Sequence, residues 1–446
     1  MNKLKIQNQI VVDHSKLREV KAEISTINHT GDRSHNPKKP IFYWYQDSPI
    51  GKELFVVFYT KKCEWSRCSF CSLPSVSSPV QVDDQDVIEQ AEYIFKSLST
   101  LQLNRVVRVL ISNNGSVLNQ NTLPSHVLYQ LCELSHKYCE KLRYISFETR
   151  FESAEKKELL YYIRMFKTWH ELYHHTYRTR KENNVVQLQI SAGYETQDPY
   201  IRNAILCKGY AEKEVQKFFS LCSEIYEETG YKISCDEYVL LKPAIGMNDK
   251  EAIEECVQTI KHLYKLGKAY NVPVSIRLNP IFVAKGSYLH AEFIKNNYTP
   301  PSLSNVVDVI KRCFLEIDCL QIFVGLNEEN LSIGGQRYYI RSDIDYLYLK
   351  ILKIFNSNQD YKLLLQNIKL VDSIFQKSVI GKLMLKLIGI VKYIEEATDF
   401  DTKKLLDLAQ EIESATNIKS DLLKCIDFIG NLQKQSQETD FFIKHR

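Results

Sequence analysis

The chain has 446 residues, 44% hydrophobic and 25% charged, with a formal net charge of +4; this is an ordinary globular composition, with core enough for one large α/β barrel and an appendage. No run approaches the roughly eighteen consecutive apolar residues of a membrane span, and the N-terminus MNKLKIQNQIVVDHSK has no apolar signal-type core, so a secreted or membrane-embedded protein is excluded and a cytoplasmic one expected. The mild positive charge is compatible with a polyanionic partner without arguing for one.

Residues 1–45 read as a polar lead-in segment, with GDRSHNPKKP as a loop. A core follows over 46–335. LFVVFYT (Leu54–Thr60) is a continuous apolar run, the pattern of a parallel strand covered by helices. Strand patterns recur at Arg105–Ser112, Leu142–Thr149, Val185–Glu195, Lys232–Leu241, Val272–Pro280 and Cys319–Leu326, giving six strands and one marginal run. Between them, segments such as DQDVIEQAEYIFKSLS and DKEAIEECVQTIKHLYKLG place apolar residues at three- and four-residue intervals behind acidic starts that suit a helix N-terminus. This alternation predicts an α/β fold with right-handed crossovers, a partial (β/α)6 TIM-type barrel. Over 336–446 the strand signals cease, and Leu-, Ile- and Lys-rich patterns such as KLMLKLIGIVKYIEE predict an all-helical C-terminal domain.

The loop after the first strand reads KKCEWSRCSFCSLP and holds Cys63, Cys68 and Cys71. It falls at the C-terminal edge of the sheet, where α/β folds do their chemistry. Short spacings of this kind can turn three thiolates onto one small object. Iron-sulfur clusters are usually held by four cysteines, so a set of three leaves one corner open for a ligand. A zinc knuckle needs a fourth ligand at short spacing, whereas the next cysteine is Cys132 and the nearest upstream histidine is His35. The other nine cysteines are scattered singly along apolar segments, which argues against a disulfide framework and for reduced thiols.

Further polar motifs close the predicted strands at the same edge. SNNGS offers Asn113, Asn114 and Ser116 as donors and acceptors, with Gly115 permitting close backbone approach to a ligand; it reads equally as a simple turn. FETR sets Glu148 and Arg150 on alternate positions of one strand face, where they line a site or simply pair. SAGYETQD offers Gly193 and Glu195, and YIRNAILCKGY adds Arg202 and Lys208, two cations suited to a carboxylate-bearing ligand. In YVLLKPAIG, Lys242 precedes a proline that stiffens the turn. With the thiol loop these motifs outline a polar mouth on an apolar barrel, the usual form of a cofactor pocket.

These residues carry a resemblance. The thiol run, with Trp65 two residues after Cys63 and Phe70 just before Cys71, resembles the cluster loop of radical S-adenosylmethionine (SAM) enzymes, with an x4-x2 spacing in place of the commoner x3-x2. NNGSVLN, FETRFES, GYETQDPYIRNAILCKGY, YVLLKPAIGMNDKEAIEE and RLNPIFVAKGSYLH, followed by YTPPSL, look like the ordered blocks of the Elongator-catalytic-subunit-like branch, nearest to the radical SAM enzymes of archaeosine biosynthesis. The resemblance implies a [4Fe-4S] cluster on Cys63, Cys68 and Cys71 whose fourth iron chelates SAM. It implies reductive cleavage of SAM to a 5'-deoxyadenosyl radical that abstracts hydrogen from a complex substrate, a modified nucleobase of tRNA or a 7-deazaguanine-type compound, in a reaction of lyase or transferase type. For SAM it implies Asn113, Gly115 and Ser116 at the methionine end, Glu148, Glu195, Arg202 and Lys208 at the nucleoside or carboxylate, and Phe70, Arg150 and Gly193 in the same cofactor-binding set. It also implies an electron donor such as flavodoxin or ferredoxin, and tRNA or another nucleic acid as partner. Two features depart from the archaeosine branch: the stretch SIGGQRYYIRSD lacks the cysteine expected after the last strand, and a long insertion runs over 165–184.

That insertion contains HELYH (His170–His174), formally the zincin motif of two histidines one turn apart with a glutamate base. Its third ligand is missing unless Glu195 supplies it, and Glu195 belongs to another motif. The aromatics and cations here, among them Trp169, Tyr173, Tyr177, Arg178, Arg180 and Lys181, suit either contact with a nucleic-acid substrate or a packed helix. Two other functions stay open, a radical enzyme acting on a peptide or small metabolite and a non-catalytic iron-sulfur or zinc module that binds nucleic acid.

Overall fold

Phe42–Ser48 (β1) and Gly51–Val57 (β2) form an antiparallel hairpin, and six more strands pair in parallel beyond β2: Val106–Ser112 (β3), Tyr144–Thr149 (β4), Gln187–Glu195 (β5), Ser234–Leu241 (β6), Val274–Pro280 (β7) and Ile322–Val324 (β8). The structure, a computed structural model, describes residues 12–17, 30–176, 185–317, 320–326, 331–333, 342–376, 381–388 and 424–432. Strand order runs from β1 to β8 without a reversal. Right-handed crossovers then all fall on one face, so the sheet covers its other face only by curling on itself, which is the barrel arrangement.

The outer layer is built by Asp84–Ser97 (α1), Thr100–Leu103 (α2), Ser125–Tyr138 (α3), Lys156–Thr176 (α4), Glu212–Thr229 (α5), Asp249–Ala269 (α6), Tyr288–Ile294 (α7) and Leu303–Glu316 (α8). Their starts follow the sequence chemistry. Asn248 with Glu251, and Ser302 with Asn305, form reciprocal caps on α6 and α8. The inner positions of these helices and the outward residues of the strands merge into one apolar core.

The α/β barrel expectation holds, with seven parallel strands rather than six: the marginal run is the short strand β8. β1 was not anticipated. It starts inside the segment read as a lead-in, because its Trp44 stacks on Phe55 of β2 with ring centroids 4.0 Å apart and so adds to the barrel lining. Residues 12–17 also dock on the barrel. His14 bonds Asp198 at 2.7 Å, Leu17 is buried, and Gly246 (φ 88°) has no room for a Cβ because Lys16 O lies 2.2 Å from that position.

Asp345–Asn358 (α9) closes the gap between the ends of the sheet by packing on both β1 and β8. Asn356 acts as a false strand: Val324 N–H donates to its Oδ1 at 2.7 Å, and its Nδ2 donates to Val324 O at 2.8 Å. Gln359 repeats this on Ile322 at 3.0 and 2.8 Å. All described elements from α9 onward, including Tyr361–Val371 (α10), are helical. Among the described residues, no helix is long and apolar enough to cross a membrane.

Candidate functional site

A cavity of about 240 Å3 opens where β2 to β8 end. The thiol loop forms one wall. Its base is pinned by Lys62 N–H to Ser78 O at 2.8 Å and Ser78 N–H to Thr60 O at 2.9 Å, so the residues between bulge over the sheet edge as one closed loop. Cys63, Cys68 and Cys71 all border the cavity, and Cys71 N–H donates to Cys68 O at 3.2 Å. Gly115 admits this loop rather than a ligand: a Cβ there would lie 3.2 Å from both Cα and Cβ of Cys63. Burial pushes the Cys68 and Cys71 thiols up, opposed at Cys68 by the charges of Lys208 and Arg150.

Among the described residues, no group of three or more His, Cys, Asp or Glu side chains is gathered to bind a metal ion. Thiolates sharing one zinc, each about 2.3 Å from it, are crowded together; thiolates on an iron-sulfur cube take separate irons and stand wider apart. Cys63, Cys68 and Cys71 come from one loop and border one cavity, which suits a group held by several thiolates. Trp169 on α4 is buried, stacked on His136 at 4.4 Å and beside Phe166 at 5.2 Å, so this face of α4 is core. The side chains of Tyr173 and His174 and residues 177–184 lie outside the described residues.

The opposite wall carries charge. Glu195 sits at the end of β5 in a left-handed conformation (φ 67°), and its Oε1 lies 2.8 Å from Lys208 Nζ, with both side chains buried. Gly193 makes room for this pair, since a Cβ there would fall 2.4 Å from Glu195 Oε1 and 2.7 Å from Lys208 Nζ. Burial works to lower the Lys208 pKa, but the charge and hydrogen bond of Glu195 together with the Cys68 thiol outweigh it and the ammonium is held above its usual range. Glu148 lines the cavity, and burial pushes its carboxyl up against the opposing Ser112 hydroxyl and Arg277 charge. Arg150 does not pair with Glu148. It bonds Glu152 at 2.5 Å and donates to Lys208 O at 2.8 Å.

Ten of the thirteen residues that the resemblance implies for the cluster and SAM thus share one cavity: the three cysteines, Phe70, Gly115, Glu148, Arg150, Gly193, Glu195 and Lys208. Three stand behind its wall. Asn113 is 1% exposed and donates to Thr122 Oγ1 at 3.2 Å, leaving its neighbour Asn114 to face the cavity. Ser116 and Thr149 join hydroxyls at 2.5 Å and tie the ends of β3 and β4. Arg202 is 1% exposed and forks onto Glu212 Oε2 through two bonds of 3.1 Å, against the rings of Tyr194 and Tyr210. It is a scaffold ion pair.

The far wall was missed. It consists of Tyr238 and Leu240 of β6, Asn279 of β7, Phe282 and Phe55. Period-two alternation along β6 and β7 is the signal that marks these residues as inward-facing. Gly325 belongs with them, because a Cβ there would fall 1.9 Å from Asn279 Oδ1.

No protein-family model matches the chain. An uncharacterized protein of Methanocaldococcus jannaschii is 26% identical over 313 residues, which is 68% of this chain and 77% of that protein. Among solved structures, a queuine lyase from Clostridium spiroforme bound to SAM and queuine is similar over 54% of this chain and 81% of its own, with 14% identity and a TM-score of 0.32. Archaeal Elp3 of Methanocaldococcus infernus, lacking residues 1–46, is similar over 61% of this chain and 59% of its own, with 13% identity and a TM-score of 0.39.

Proposed function

We propose that the protein is a radical SAM enzyme. The observation that carries this reading is the meeting, in one cavity at the C-terminal edge of the barrel, of three cysteines from a single loop with the buried Glu195–Lys208 pair. Cys63, Cys68 and Cys71 would hold a [4Fe-4S] cluster, which supplies the electron that cleaves SAM to methionine and a 5'-deoxyadenosyl radical. The chain's own contribution is placement and shielding. Lys208 and Arg150 set positive charge beside the thiol loop and toward the carboxylate of a bound amino acid. Glu195 accepts from a ribose hydroxyl or an amino group, and Glu148, whose carboxyl burial pushes up, offers a second carboxyl group on the cavity wall. Phe55, Phe70 and Phe282 keep water from a reactive species.

The substrate in this reading is a modified nucleobase of tRNA or a 7-deazaguanine-type compound. Support comes from the far wall, where Tyr238 and Phe282 offer apolar faces for a flat ring and the Asn279 carboxamide offers a donor and an acceptor for its edge. A cytoplasmic setting and a flavodoxin or ferredoxin electron donor complete the proposal. Anaerobic reconstitution followed by dithionite and SAM is expected to release 5'-deoxyadenosine, and Cys68→Ala to lose both the brown chromophore and the cleavage. Cleavage sped by tRNA or by a free deazapurine identifies the substrate class. A reconstituted protein that releases no 5'-deoxyadenosine is instead a binding module, and the proposal fails.

A further inference from the structure

Trp65 stands between Cys63 and Cys68 and reaches the turn that follows Ile201–Ile205, one of two π-type helical turns among the described residues. Its indole N–H donates to Cys207 O at 2.7 Å, and close by Ser69 N–H donates to Leu206 O at 3.1 Å. Gly209 lies directly against the ring, where a Cβ would fall 1.9 Å from Cζ2 and 2.1 Å from Cη2. The Arg150 guanidinium lies 5.3 Å from the ring centre and also donates to Lys208 O at 2.8 Å. Both sequence neighbours of Lys208 therefore touch one indole, and the carbonyl of Lys208 is held by an arginine on the same ring. The amine of Lys208 in turn holds Glu195.

A plain packing role for Trp65 does not account for this arrangement. The side chain is only half-buried, and Cys207, which is not a glycine, adopts left-handed backbone at φ 55°. Such conformations persist where surrounding contacts over-determine them. Here the contacts are those that bring the carbonyl of Cys207 and the bare Cα of Gly209 to the indole.

We propose that Trp65 is a positioning residue that locks the thiol loop to the Glu195–Lys208 pair, so that the setting of Cys63 and Cys68 and the binding of a ligand at that pair depend on each other. The lock stands on contacts within the chain; its effect on SAM rests on the proposed function.

The test uses Gly209→Ala, which displaces the ring, and Trp65→Phe, which keeps an apolar disc and loses the N–H. In the metal-free chain, alkylation of Cys63 and Cys68 by iodoacetamide is followed by peptide mass spectrometry, with the buried Cys139 reporting intact fold. The expected result is about tenfold faster alkylation in Gly209→Ala, an intermediate rate in Trp65→Phe and no change at Cys139. Wild-type rates in both variants overturn the lock. If Cys139 becomes reactive in Gly209→Ala, Trp65→Phe alone decides. In the reconstituted protein, the change that SAM makes in the electron paramagnetic resonance signal of the reduced cluster should shrink, with SAM affinity about tenfold weaker, near 1.4 kcal/mol. An undiminished SAM response despite faster alkylation overturns the coupling. A wild-type chain that takes up no cluster sinks the proposed function, while the alkylation rates still decide the lock.

Discussion

Glu255 shows how one buried side chain makes stability depend on pH. It lies on α6 behind the turn that carries Glu195, accepting hydrogen bonds from Thr196 and, at 2.7 Å, from Thr259, while its second carboxylate oxygen has no partner. Burial pushes its carboxyl up to about 7, against the pull of the two hydroxyls, from an ordinary value of 4.5. Between those two values the folded chain holds a proton that the unfolded chain releases. The contribution to stability is therefore fully present below pH 4.5 and lost as pH rises through about 7, in total roughly 3 kcal/mol. Glu255→Gln keeps the acceptor and removes the charge, so its urea midpoint should hold steady between pH 5 and 7.5 where that of the parent falls; parallel curves would show that Glu255 ionises in the folded chain at its ordinary value. Legibility at this scale follows chain distance. The cysteines and the residues at strand ends were readable because each motif is local, and the strand period carries them to one edge. Arg202 sits in such a motif too, but its direction is set by Glu212 on the next helix, which spacing alone does not reveal. The contact of Trp65 spans 142 positions and leaves no mark in the local pattern.

Elements were legible where burial on both faces writes an apolar run, as in β3, buried at all seven positions. β1 escaped because FYWYQDS mixes polar and aromatic residues on a strand whose inner face joins the barrel lining. The sealing of β8 escaped for another reason: helical periodicity flags the apolar face of α9, while the residues that meet the strand edge are amides. An edge strand offers unpaired N–H and C=O groups to any passing chain. Asn356 on α9 and Gln359 at its left-handed C-cap answer the exposed groups of Val324 and Ile322. Asn356→Ala strips both bonds from a buried strand. The expected cost is about 2–4 kcal/mol, from two orphaned backbone groups at about 1–2 kcal/mol each. Urea denaturation measures it, and a loss under about 0.5 kcal/mol, the level of an ordinary surface change, would mean that packing of α9 alone seals the edge.

At the scale of the whole molecule, the lumen is divided by a polar ring to which every strand from β1 to β7 contributes. Gln46 bonds Glu53, Glu53 pairs with Arg108, Arg108 and Ser146 meet Gln189, and Asp236 takes Arg277 and Ser275. Longer contacts, Arg108 to Asp236 at 3.9 Å and Arg277 to Glu53 at 3.8 Å, close the circuit. The ring faces a second cavity of about 410 Å3 at the N-terminal end of the barrel, away from the cysteines. Its members are spread over seven strands, so it has no local signature; only closure of the barrel assembles it. Burial would raise the Asp236 carboxyl, but the charges of Arg277 and Arg108 outweigh it and hold the group below its usual range. Two carboxylates and two guanidiniums balance, and removing one partner strands a buried charge at a cost of about 3–5 kcal/mol. Asp236→Ala should therefore lower the unfolding free energy by that amount in urea. Asp236→Leu combined with Arg277→Met should cost less than the sum of the two single changes, because the pair leaves together. A cost below about 1 kcal/mol for the single change, the level of an exposed pair, would mean that water entering the lower cavity solvates the stranded Arg277, and the lumen would then be wet to the level of the ring.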